Sequence, residues 1–153
     1  MTIGCMLMAA LVLMGSPSAA LTPTALQGPW IIARSSAPDW IRSPGQQRAN
    51  LVGRRVSFED GTVDAPAPIG CGHARYSLVE SPPQGLFQGY LEAPDSAANA
   101  ARELHLSVIS TPTVRVDCDT GSFDYHVDER GELVIMLDQV LYHLTRVGNP
   151  AQP

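Results

Sequence analysis

Cys71, His73, Cys118 and His126 carry the richest chemistry by type: two thiols and two imidazoles that together could surround a zinc ion. Their spacing matches no zinc signature. In an oxidising compartment the two cysteines of a small domain pair with each other, which consumes both sulfurs. The expectation is a Cys71–Cys118 disulfide closing a loop of about 48 residues, with no metal and no thiolate nucleophile left over. Asp117, Asp119, Asp124, Asp128 and Glu129 crowd acid around one stretch, and Asp117, Asp119 and Asp128 offer oxygens of the kind calcium takes. Gly121 falls one position early for a calcium loop and no helix flanks it, so a solvated acidic face is expected. His126 lies between Asp124 and Asp128 and is expected on that outward face, where neighbouring carboxylates raise an imidazole.

Asp119-Thr120-Gly121-Ser122 resembles the tetrapeptide of aspartic proteases, in which two aspartates share a proton and activate a water. The context differs. Asp117-Cys118 precedes it instead of an apolar run, and the nearest counterpart to the answering apolar-apolar-Gly strand, Leu51-Val52-Gly53, lies before it in the chain. A hairpin turn selects Asp, Gly and Ser for its own reasons. There is no G-x-S-x-G, phosphate loop or dinucleotide fingerprint, so the chain is expected to be non-enzymatic and to need no cofactor. His73, His105 and His143 have no partner that the sequence identifies.

The acidic stretch belongs to the most legible part of the chain. Val114, Val116 and Cys118 alternate with polar residues, as do Phe123, Tyr125 and Val127, which predicts two half-buried strands joined by a turn at 119–122. Glu129-Arg130-Gly131 predicts a second turn before the apolar run 132–137, which suits a strand covered on both faces, and 140–146 closes a four-stranded meander. Upstream, strands are expected at 30–33, 55–59 and 75–79, and segments 34–50 and 60–70 are expected to be loops. One helix is predicted from about 95 to 105, capped by Asp95 or Ser96, with Ala97, Ala100, Ala101 and Leu104 as a narrow apolar stripe that must lie against something flat. Seven or so strands, one short helix and one disulfide give the expected fold class: mainly β, a small antiparallel barrel.

Gly28-Pro29-Trp30 on the first strand resembles the G-x-W signature of lipocalin-like barrels, with Arg146 where that family places an Arg over the Trp. Gly70-Cys71 and Cys118 are also similar to the cysteine arrangement of small secreted META domains, although Gly72-His73 replaces the usual Asn after the first Cys. The resemblance implies a barrel closed at one end by Trp30 and Arg146; the helix from about 95 to 105 is expected to roof the other end. Strand alternation independently sends Phe123, Tyr125 and Tyr142 inward. The expected ligand-binding residues are therefore Trp30, Phe123, Tyr125, Tyr142 and Arg146, around a small apolar ligand.

Charge and composition bound the partners. Ten basic residues against fifteen acidic give a net charge of −5, and every basic residue is Arg, with Arg54-Arg55 the only adjacent pair. No basic stripe exists for nucleic acid or anionic lipid. Residues 3–15 are free of charge, and small residues precede a possible cut after Ala20, the pattern of a signal peptide over 1–20 ahead of one barrel domain over 21–153. The run is too short to span a membrane, so a periplasmic or secreted protein is expected. The alternative to a ligand carrier is a secreted interaction module, for instance an inhibitor of an extracellular hydrolase, presenting Leu86, Phe87 and Tyr90 from the proline-stiffened segment 81–90.

Overall fold

The computed structural model describes residues 23–41, 51–91 and 93–148. The leader expected over 1–20 and the 42–50 part of the expected loop lie outside them. Eight antiparallel strands form one nearly closed barrel: β1 (Pro29–Ser36), β2 (Arg55–Glu59), β3 (Thr62–Asp64), β4 (Arg75–Ser81), β5 (Thr111–Cys118), β6 (Gly121–Val127), β7 (Leu133–Leu137) and β8 (Val140–Arg146). The helix, α1, spans Pro94–Glu103.

The strands lie in the order β3-β2-β1-β8-β7-β6-β5-β4, so the first strand pairs with the last and the two edges are β3 and β4, neighbours in sequence. The segment between them draws those edges together. Cys71 forms a bridge with Val63 of β3, the Ala74 N–H donates to Gly61 O at 2.7 Å, and Cys71 is disulfide-bonded to Cys118 on β5, with 5.7 Å between the Cα atoms. The Tyr76 hydroxyl on β4 adds a bond to Thr62 O at 2.6 Å. The expected disulfide is thus present, and it clasps the barrel seam.

Alternation sorts the side chains into two apolar clusters. Trp30, Ile32, Val56, Phe58, Val114, Val116, Tyr125, Leu133, Ile135, Tyr142 and Leu144 fill the interior. Val134 and Leu141, which point the other way, join Leu86, Phe87, Ala97, Ala100, Ala101 and Leu104 in a second cluster outside the wall. The helix therefore lies on the outer side of the wall, packed most closely against the 83–89 segment in a cluster that includes Val134 of β7 and Leu141 of β8, and does not roof the mouth. This outer cluster explains why β7 and β8 are buried on both faces.

Other expectations shift locally. Ala93 takes the N-cap position and Pro94 begins the helix, in place of a cap at Asp95 or Ser96. The end of α1 is a Schellman turn: Leu106 N–H donates to Ala101 O at 2.8 Å and His105 N–H to Arg102 O, with His105 at φ 56°. The loop expected over 60–70 contains the short β3, and β1 runs to Ser36 because a bulge between Ile32 and Arg34 carries its pairing with β8 onward.

Candidate functional site

Trp30 near the start of β1 and Arg146 at the end of β8 are paired neighbours in the barrel. The Trp30 indole is fully buried and donates to Leu26 O at 2.9 Å, while the Arg146 guanidinium lies 4.5 Å over its ring and donates to Ala25 O and Gln27 O. Gly28 is needed there twice over. Its φ of +102° disfavours a side chain, and a Cβ would stand 3.2 Å from the Arg146 guanidinium. These two expected ligand residues pack on each other, with a cation stacked on an aromatic face.

Tyr125 and Tyr142 point inward as the alternation requires, and both are buried. Phe58 meets Tyr125 edge to face with 5.0 Å between centroids, so aromatic rings occupy the middle of the barrel. The Tyr125 hydroxyl has no hydrogen-bond partner among the described residues, and burial pushes its pKa well above that of an ordinary phenol.

Phe123 leads elsewhere. The ladder between β6 and β7 holds only two pairs, His126 with Val134 and Val127 with Leu133. Continued in register, Tyr125, Asp124 and Phe123 would pair with Ile135, Met136 and Leu137, but these positions splay apart. A cleft of about 350 Å³ opens in the barrel wall between them. Phe123, Ile135 and Leu137 line it from the inner face; Phe87, Tyr90 and Met136 line it from outside. Its remaining lining is polar: Gln88, Ser122, Asp124, Asp138 and Gln139, with the Tyr90 hydroxyl. The Tyr90 hydroxyl reaches Gln139 Oε1 at 3.3 Å, Gln88 Nε2 donates to Ser122 O at 2.8 Å, and Asp124 is engaged by both a Nε and a Nη2 bond from Arg115.

One wall of the cleft is a strap, residues Pro83–Gly89, held to the barrel by His126. The Phe87 N–H donates to His126 Nε2 at 3.0 Å, and the Phe87 ring meets the imidazole edge to face at 4.8 Å. An accepting Nε2 places the proton on Nδ1, which donates to Thr113 Oγ1 at 2.8 Å; that hydroxyl donates in turn to Thr111 O. His126 is therefore buried and neutral, with both ring nitrogens used. Desolvation lowers its pKa to about 4, overriding the upward pull of Asp124. This corrects the expectation of a surface histidine that titrates high. The alternation placed it rightly on the outer face, but the strap covers that face.

The acidic face is also less solvated than expected. Asp124 and Asp128 are buried and paired with Arg115 and Arg130, while Asp119 remains exposed and meets His73 at 2.9 Å. Leu86 and Phe87 are buried in the outer cluster, so the 81–90 segment does not present them to a partner. The lateral cleft had no signal in the sequence, because strands that pair and strands that splay show the same alternation.

In comparisons with known proteins, no family model matches the chain, and no curated protein or solved structure matches it either.

Proposed function

We propose that the chain is an exported, non-enzymatic β-barrel that holds a compact, largely apolar small molecule in the lateral cleft between β6 and β7. The observation that carries this reading is the interrupted ladder, which leaves a cleft of small-molecule size with an apolar inner wall and polar groups from both the strap (Gln88) and the barrel (Ser122, Asp124, Asp138 and Gln139). The lipocalin-like placement of Gly28, Trp30 and Arg146 supports the same class of function, and the aromatic filling of the barrel centre moves the occupant from the axis to the wall. The disulfide and the leader-like 1–20 stretch support export to a periplasmic or extracellular compartment. The inhibitor reading has less support, since two of its three apolar anchors, Leu86 and Phe87, are buried in the outer cluster.

Native mass spectrometry of the full chain purified from its own host tests the proposal. The expected result is a non-covalent small-molecule adduct that disappears in Met136→Trp, where an indole fills the cleft from the half-buried outer side. A chain that carries no adduct overturns it. The same spectrum tests export, with a mature chain beginning at or near Leu21.

A further inference from the structure

We infer that the outer wall carries a second binding site, independent of the lateral cleft, for a small zwitterion bearing a carboxylate and an ammonium group, such as a free amino acid. The site is a recess of about 320 Å³ lined by Arg34, Ser36, Glu103, His105, Arg130 and His143. Two local features bring these residues together. The bulge in β1 reverses the alternation after Ile32, so that Arg34 pairs with His143 and both point outward with Ser36. The Schellman end of α1 leaves His105 at the rim, and the His105 carbonyl accepts the Glu129 N–H at 3.0 Å, tying the helix end to the turn that holds Arg130.

Arginine N–H groups line one part of the recess and the Glu103 carboxylate another. Arg34 Nη1 donates to Glu132 Oε2 at 2.9 Å, and Arg130 is held by Asp128 Oδ2 at 3.1 Å and by Glu132. The carboxylates are the buried partners: the Asp128 and Glu132 side chains are 0% and 15% exposed, against 44% and 48% for Arg34 and Arg130. Guanidiniums anchored from behind present their remaining N–H groups at little entropic cost, in a fork that matches a carboxylate. Across the recess stand Glu103, fixed by a 3.0 Å bond from Trp40 Nε1 to its Oε2, and the C-terminal end of α1, the negative pole of the helix. Because Asp128 and Glu132 already offset the two arginines, a simple anion gains little here. A ligand with both charges matches both parts.

His143 forms the buried part of the recess. His143 is 4% exposed; its Nε2 lies 3.3 Å from Ser36 Oγ, and its Nδ1 has no partner among the described residues. The Ser36–His143 contact is not a nucleophile and its base. Desolvation, helped by Arg34, lowers His143 to about 4, and no carboxylate orients its Nδ1.

Titration of the full chain with each proteinogenic amino acid, and with acetate and methylammonium, followed by NMR of the His105 and His143 ring resonances, tests the site. At least one amino acid is expected to shift both rings saturably, with acetate and methylammonium weaker by about tenfold or more. Arg34→Gln and Glu103→Gln, both at exposed side chains, should each weaken that amino acid by about tenfold while Met136→Trp leaves it unchanged. Failure of every amino acid to saturate, or equal binding of acetate, overturns the inference.

Discussion

Gly28 and His126 show how one side chain, or the lack of one, sets a local equilibrium. Gly28→Ala forces a Cβ into a left-handed backbone position and toward Arg146, so urea unfolding should show a loss of about 1–3 kcal/mol. In a Trp40→Phe background the Trp30 emission should shift red as the guanidinium leaves its ring. His126 imposes a pH dependence. Its folded pKa, about 4, lies below the value of an unfolded imidazole, so between those values the unfolded chain binds more protons and stability falls with falling pH. The contribution is full above the unfolded pKa, near 6.5, and is lost by the time pH reaches about 4, amounting to roughly 3 kcal/mol. His126→Gln can accept from Phe87 and donate to Thr113 without titrating. Denaturation midpoints of that variant should fall less between pH 7 and pH 4.5 than those of the unaltered chain; equal slopes would remove His126 from the explanation.

At the scale of elements, the splayed strands and the strap predict a pattern of protection. Amides of 123–125 and 135–137 on the cleft side should exchange with solvent faster than those of the β5–β6 and β7–β8 ladders, which pair along their lengths. Hydrogen exchange read by mass spectrometry checks this, and uniform protection across β6 and β7 would contradict the cleft. The elements themselves were legible to different degrees. The meander from β5 to β8 was readable because each strand has one face in the apolar interior, so its period of two survives in the sequence. β3 was not, since Thr62-Val63-Asp64 is too short to show a period. The polar end of β1, Arg34-Ser35-Ser36, hid behind a bulge that breaks the alternation. For α1 the stripe was readable, but no residue encodes which side of a sheet a helix will cover. The recess at His143 and the lateral cleft were invisible for the same reason: both arise from elements far apart in the chain.

For the whole molecule the decisive tie is Cys71–Cys118, which joins the β3 side of the seam to β5 across 47 residues. Cys118→Ser should lower stability by about 2–5 kcal/mol, measured in denaturant under non-reducing conditions. The loss should be accompanied by faster exchange in β3 and at the start of β4, where the bridge with Val63 and the Tyr76 hydroxyl bonds depend on a fixed segment around Cys71. A loss spread evenly over all strands would mean that the bond acts on the unfolded chain alone.

The pairing of β1 with β8 sets the order in which the molecule can assemble. Trp30 finds its register opposite Arg146, and the Ile32, Arg34 and Ser36 positions are matched by Leu144, His143 and Leu141. As the chain emerges from a ribosome or a translocation pore, β1 can do no more than join β2 until the segment Val140–Arg146 has followed it out. The nearer hairpins of the meander need only short loops to close, whereas this contact spans nearly the whole domain and carries the largest closure entropy. Sealing of the cylinder is therefore a late event, and stacking of Arg146 on the Trp30 ring times its completion.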